Sequence, residues 1–229
     1  MPQAPNKIEV CLEVGEKKVF ASALEWPGWS RSGSDEAGAL LALCDYGPRY
    51  ARALRGTRLG FHAPPDPSAL RVVERLKGNS TTDFGAPGLA PSADERPLKA
   101  AELRRLQTIL RACWRALDEA AQAAEGKALR VGPRGGGRKL AEALRHVREA
   151  EASYTSQMGW KLSRPETDDP AEALRQMRAE SLKAMAASAS GELPARGPRG
   201  GARWTARYFT RRAAWHVLDH AWELEDRIL

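Results

Sequence analysis

The chain has 229 residues, of which 42% are hydrophobic and 28% charged, with a formal net charge of +7. That apolar content supports a packed core, and these proportions exclude a disordered chain. No apolar run approaches the roughly 18 residues of a spanning helix, so no membrane span is expected, and the start, MPQAPNKIEV, lacks the build of a signal peptide. A cytoplasmic protein is expected. Arginine is scattered along an Ala- and Arg-rich chain rather than gathered in one block. Nucleic acid is therefore a less favoured partner than a small-molecule substrate.

Cys11, Cys44 and Cys113 are odd in number and far apart, and no C-x-x-C occurs. Buried, inert thiols are expected rather than a disulfide framework or a thiolate zinc site.

In chain order, residues 7–14, KIEVCLEV, alternate and are rich in branched side chains, which predicts a strand. A turn at Gly15-Glu16-Lys17 leads to a second strand over 18–26, so 7–26 reads as a hairpin. WPGWSRSGS interrupts the pattern, Ser34 is a candidate cap, and Ala37 through Leu43 follow as a helix bent or ended by Gly47-Pro48. Residues 69–76, ALRVVERL, predict a third strand. The first 76 residues thus form a small β-β-α-β unit. In LEWPGWSRSGSDEAGALLAL a strand ends in a Pro-Gly turn and enters a helix through a polar cap. This stretch resembles the HicB-like fold, which occurs in antitoxins and as an accessory domain.

Residues 77–97 hold many Gly, Pro, Ser and Asp residues and read as a connector loop, either a floppy linker or an ordered cover. Asn79, Thr81, Thr82 and Asp83 suit polar contacts within it.

From residue 98 the pattern turns helical. Leu98, Leu103, Leu106, Leu110, Cys113, Trp114 and Leu117 recur at steps of three or four, predicting one amphipathic helix over 98–125. A second runs from about Lys139 to Gln157. A third starts at Pro170 behind Asp169 and reaches about Ala187, and the last covers about 204–228. The expected fold is α+β: the small unit followed, over 98–229, by an antiparallel four-helix bundle.

GPRGG occurs twice, at 132–136 and 197–201, each time just before a helix. In an up-down bundle these loops share one end, which would gather Arg134, Arg138, Arg199 and Arg203. Glycine-rich backbone beside guanidinium forks suits a carboxylate or phosphate. The alternative is that the glycines only turn the chain.

The chain has four histidines. On a helical wheel His216 and His220 fall with Arg212, Glu223 and Arg227 within about 40° of one direction. The stripe of Ala213, Val217, Ala221, Leu224 and Ile228 lies beside them. Histidines four apart on one helix face can aim two nitrogens at one ion. His146 holds a similar core-edge position in the second helix, whereas His62 lies in a loop. Glu223, one turn beyond His220, is the candidate catalytic carboxylate, supporting that imidazole. An i,i+4 pair with Arg227 is its competing role. Asp219 reads as a salt-bridge partner for Arg211 or Arg212. Trp215 and Trp222, a heptad apart, suit packing against the first unit or a substrate pocket. No G-x-S-x-G or G-x-G-x-x-G pattern occurs.

One histidine in HVREAEASY and two in a final-helix HVLDH resemble the DinB/YfiT-like superfamily of metal-binding bundles over roughly residues 98–229. The chain departs from that pattern in its preceding α/β unit and in ending with the fourth helix. The resemblance implies a divalent ion, zinc or nickel, on His146, His216 and His220. It further implies an enzyme that transfers a thiol, or activated water, to a small electrophile, as a transferase, isomerase or hydrolase. A thiol such as mycothiol would be its cofactor, with the loop arginines gripping a carboxylate. The first unit would either cover the site or join two copies as a homodimer. The alternative is a nucleic-acid- or partner-binding protein whose metal is structural or missing.

Overall fold

The computed structural model describes residues 7–131, 138–194, 196 and 200–229. The chain separates into two compact units, Met1–Arg96 and Pro97–Leu229.

In the first unit the alternating segment forms β1 (Ile8–Val14), and the turn after it returns as β2 (Val19–Ala23). The second strand is shorter than expected. The chain turns at Trp26-Pro27-Gly28, the Ala23 N–H donating across it to Trp29 O, and comes back as β3 (Ser30–Gly33). This third strand was not expected: SRSG contains no branched or aromatic residue to signal it. Backbone pairing with β2 and the buried Ser22–Ser30 hydroxyl pair at 2.6 Å hold it in place. Asp35, not Ser34, caps α1 (Glu36–Asp45), accepting from the Gly38 N–H at 2.7 Å. A short α2 (Gly47–Ala53) follows, then β4 (Leu70–Lys77). The sheet order is β3-β2-β1-β4, with β4 parallel to β1 and the other pairs antiparallel. Fully buried Trp29 ties helix to sheet, its Nε1–H donating to Leu43 O at 2.8 Å, and the Tyr50 hydroxyl donates to Pro27 O.

Residues 77–96 belong to this first unit. Asn79 caps a short α3 (Ser80–Phe84). Asp83 accepts from the backbone N–H groups of Lys17 and Lys18 at 2.7 and 3.3 Å. Buried Glu13 on β1 accepts from the Thr82 hydroxyl and from the N–H groups of Gly88 and Leu89. A glycine- and proline-rich stretch is thus fixed by side-chain carboxylates that satisfy its backbone donors.

The second unit is a four-helix bundle: α4 (Ala100–Ala124), α5 (Leu140–Gln157), α6 (Pro170–Ser190) and α7 (Ala206–Arg227). Asp169 caps α6 and Thr205 caps α7. Leu106, Ile109, Leu110, Cys113, Trp114 and Leu117 of α4 are buried, as are Ala213, Val217, Leu218, Ala221 and Leu224 of α7.

The helix directions follow from their contacts. Arg207, early in α7, pairs with Glu102, early in α4, at 2.7 Å, and Leu129 beyond α4 bridges Ile228 beyond α7. These two helices therefore run the same way. The Arg138 carbonyl, just before α5, accepts from Arg227 at the end of α7, so α5 runs opposite to α7. The segment after α5 folds back along α6: the Trp160 indole and Ser163 N–H reach Glu180, and the Glu166 N–H reaches Gln176. Gln107 of α4 reaches the Leu182 carbonyl at 3.2 Å while Asp118, further along α4, pairs with Arg178 at 2.7 Å, so α6 runs opposite to α4 and parallel to α5, where the Thr155 and Ser181 hydroxyls meet at 2.8 Å. The order is up-down-down-up. The expectation that the loops before α5 and α7 share one end is corrected accordingly. Arg138 sits at the C-terminal end of α7 and Arg203 before its N-terminus, some 33 Å apart along a helix of this length.

Candidate metal centre

α7 is amphipathic on paper but buried almost all round, including Trp215 at 5% and Trp222 at 3% exposure. The two tryptophans widen the apolar surface beyond the Val217/Leu224 stripe, and a helix apolar on several sides sits centrally. His216 and His220 are thereby carried into the bundle, His216 with 8% of its surface exposed and His220 with 12% of its side chain. His146, half-buried on α5, meets them from the antiparallel neighbour.

Candidate ligand atoms of the three rings lie within 4.8 Å of one another. The Nε2 atoms of His146 and His216 are 3.2 Å apart, and the ring centroids are 4.7 to 5.2 Å apart. Two bonds of about 2.1 Å bridge up to about 4.2 Å, so one divalent cation fits between the closest pair, and sub-ångström rotations admit the third. Among the described residues no other group of three His, Cys, Asp or Glu side chains is so placed. His62 lies apart in the first unit, in the loop before β4.

The protonation chemistry suits ligation. Burial, then the charges of the neighbouring imidazoles, hold His216 far below its ordinary value, at about 2. His146 is lowered too, first by burial, then by the Arg138 charge and His220. Both rings stay neutral, as a metal ligand must. His220 is oriented differently. Its Nδ1 lies 2.9 Å from Glu223 Oε2. The hydrogen bond from His220, ahead of the Arg227 contact, holds the Glu223 carboxyl below its usual range. An ionised carboxylate only accepts, so Nδ1 carries a proton and Nε2 is the nitrogen turned to the cluster for an ion. Glu223 Oε1 accepts from Arg227 at 2.9 Å, and Arg227 also donates to the carbonyls of Arg130 and Arg138 at 2.8 and 3.1 Å. Glu223 thus makes both contacts, to His220 and to Arg227, and acts as a positioning residue for the imidazole. His216 has no such support. Its Nδ1 is buried without a hydrogen-bond partner, a cost of about 1–3 kcal/mol.

Of the loop arginines, Arg134 and Arg199 lie outside the described residues. Arg138 is exposed, yet its charge bears on both His146 and His216. Arg203 is at the other end of α7, its Nη1 buried without a partner. Two residues escaped notice as site elements. The Tyr154 ring stands 5.8 Å from that of His216, its hydroxyl held protonated by burial. Arg212 lies one turn before His216, between the rings of Tyr154 and Trp215. Only the wheel position of Arg212 hinted at this.

The fold and site define an α+β chain whose helical bundle carries a three-histidine cluster able to hold a metal ion. Compared with family models, curated proteins and solved structures, the chain matches none. No helix among the described residues is long and apolar enough to cross a membrane.

Proposed function

We propose that this chain is a metal-dependent enzyme of the DinB-like type, acting on a small electrophile with a thiol, such as mycothiol, or with water. The observation that carries the reading is the convergence of His146, His216 and His220, from two antiparallel helices, on ligand atoms within 4.8 Å of one another. His146, His216 and His220 would hold a divalent cation, zinc or nickel, which when bound would supply Lewis acidity to acidify a water or a thiol.

The chain's own groups do the rest. Burial keeps His146 and His216 neutral, so both offer lone pairs rather than protons. Glu223 and Arg227 lock His220 in the tautomer that leaves Nε2 free. Tyr154, neutral and with its ring 5.8 Å from that of His216, is a proton donor beside the cluster. Imidazole ligands carry no charge when they bind an ion, so three of them would leave its charge largely unquenched, the arrangement of catalytic rather than closed structural sites.

Elemental analysis of untagged protein tests the proposal, alongside His216→Ala. One zinc or nickel per wild-type chain, lost in the variant, is expected. No stoichiometric ion, and none regained on adding either metal, would overturn it.

A further inference from the structure

Arg212 stands one helical turn before His216 on α7, about 6 Å away along the axis. Its guanidinium lies over the Tyr154 ring at 5.4 Å and the Trp215 ring at 4.8 Å. Its Nη1 is buried and has no hydrogen-bond partner, and among the described residues Arg212 forms no ion pair. The pairing with Asp219 considered from sequence is therefore not made by Arg212. Ring contacts account for the stem and the flat faces of the guanidinium, but not for a buried N–H donor, which costs free energy while it lacks an acceptor. Arg178 and Arg203 also leave a buried nitrogen unpartnered, but Arg178, like Arg207 and Arg227, has a carboxylate within 2.9 Å, and Arg203 lies before the N-terminus of α7, whereas Arg212 is on the helix one turn before His216. Arg212 is a fixed cation held between aromatic walls, one of which, Tyr154, also stands against His216.

We infer that Arg212 is the anion anchor of the substrate or thiol bound at the three histidines, and that this ligand carries a carboxylate a few bonds from the atom that meets the cation. The inference rests on the reading of His146, His216 and His220 as a cation site. The guanidinium fork binds a carboxylate through charge-assisted hydrogen bonds. The Tyr154 ring, 5.4 Å from the guanidinium and 5.8 Å from the His216 ring, keeps the two within about one short ligand of each other, which selects a small acid with its second donor two or three carbons away. A bulky or long-chain ligand anchored elsewhere would leave the Arg212 donor unfilled.

The test uses full-length protein loaded with cobalt(II), whose visible bands report the centre before any thiol is added. Titration with 3-mercaptopropionate, its methyl ester and 1-propanethiol is followed by thiolate-to-cobalt charge-transfer absorption. The wild type is expected to bind the free acid at least about tenfold more tightly than the ester or the alkyl thiol. Arg212→Gln is expected to erase that preference, bringing the affinities for acid, ester and alkyl thiol within about twofold of one another. Arg212→Lys, which keeps the charge but not the fork, should retain part of it. Equal affinities for acid and ester in the wild type would overturn the inference while leaving the metal centre standing, and this comparison needs no variant to fold. A preference surviving in Arg212→Gln would also overturn it. Absence of cobalt bands would remove the centre itself and the anchor with it.

Discussion

Replacing Glu223 with Gln keeps the shape of the side chain but removes its charge and one of its two acceptor oxygens. In the wild type each oxygen has its own donor, His220 Nδ1–H on Oε2 and Arg227 Nη1 on Oε1, both at 2.9 Å. Glutamine can serve only one of them. If its oxygen faces His220, its amide faces the guanidinium, donor against donor. If its oxygen faces Arg227, its amide meets Nδ1, and the ring relieves the clash by moving its proton to Nε2, the nitrogen a cation needs. Carboxylate partners of ligating histidines are worth roughly 10–100-fold in metal affinity, or about 1.4–2.7 kcal/mol. We expect Glu223→Gln to weaken zinc binding by that factor. The assay is competition between apo-protein and a chromophoric zinc chelator at neutral pH, with circular dichroism confirming the fold. An affinity within about twofold of wild type, in a preparation where His146→Ala loses the metal, would refute the argument that Glu223 positions the ligand.

Zinc at a hundredfold excess over its dissociation constant should stabilise the wild type by about 2.7 kcal/mol, raising the melting temperature by roughly 5–10 °C. The same addition should leave His146→Ala unmoved, and an equal shift in both would place the metal elsewhere. Glu151, fully buried on α5 and accepting from the Trp114 indole, has its pKa pushed by burial up to about 7. The native state then holds a proton that the unfolded chain releases above its ordinary 4.5, so this group's contribution is full below 4.5 and is lost as pH rises through about 7. Glu151→Gln cannot ionise; relative to wild type it should gain on the order of 3 kcal/mol between those two pH values, read from urea denaturation in chelator, and a difference independent of pH would refute the shift. Glu13→Ala removes the acceptor of two backbone N–H groups and the Thr82 hydroxyl. It should destabilise the first unit by about 3 kcal/mol or more in urea denaturation, with no change in zinc affinity.

Much of this was legible because the pattern was regular. Apolar steps of three and four placed all four bundle helices to within a few residues, and Asp169-Pro170 marked the start of α6. The histidine cluster was legible for the same reason: spacing along α7 put two rings on one side, and His146 took the matching edge of α5. What escaped was non-local. β3 is polar and four residues long, and only pairing with β2 makes it a strand. The segment after α3 looked like a linker because its partners, Glu13 and Glu74, lie far back in the sequence. The direction of α6 could not be read from its periodicity, since a helix has the same stripe whichever way it runs. It was set by Glu180 and Gln176 holding the returning chain. The expected gathering of loop arginines failed on that point.

That return has a consequence for the site. Because α6 runs beside α5 in the same direction, α7 can lie parallel to α4 and antiparallel to α5, with α4, α5 and α6 all packed against it. Nearly the whole circumference of α7 is then covered, and its rotation about its own axis is fixed by packing on every side. His216 and His220 inherit that rigidity directly, and His146 faces them from the helix whose first residues Arg227 pins through the Arg138 carbonyl. A site built this way is preorganised by the core rather than by loops. It also explains how an imidazole with no partner at its buried Nδ1 and a half-buried arginine with an unfilled Nη1 can persist one turn apart: packing over most of its circumference keeps α7 from rotating either atom out to water.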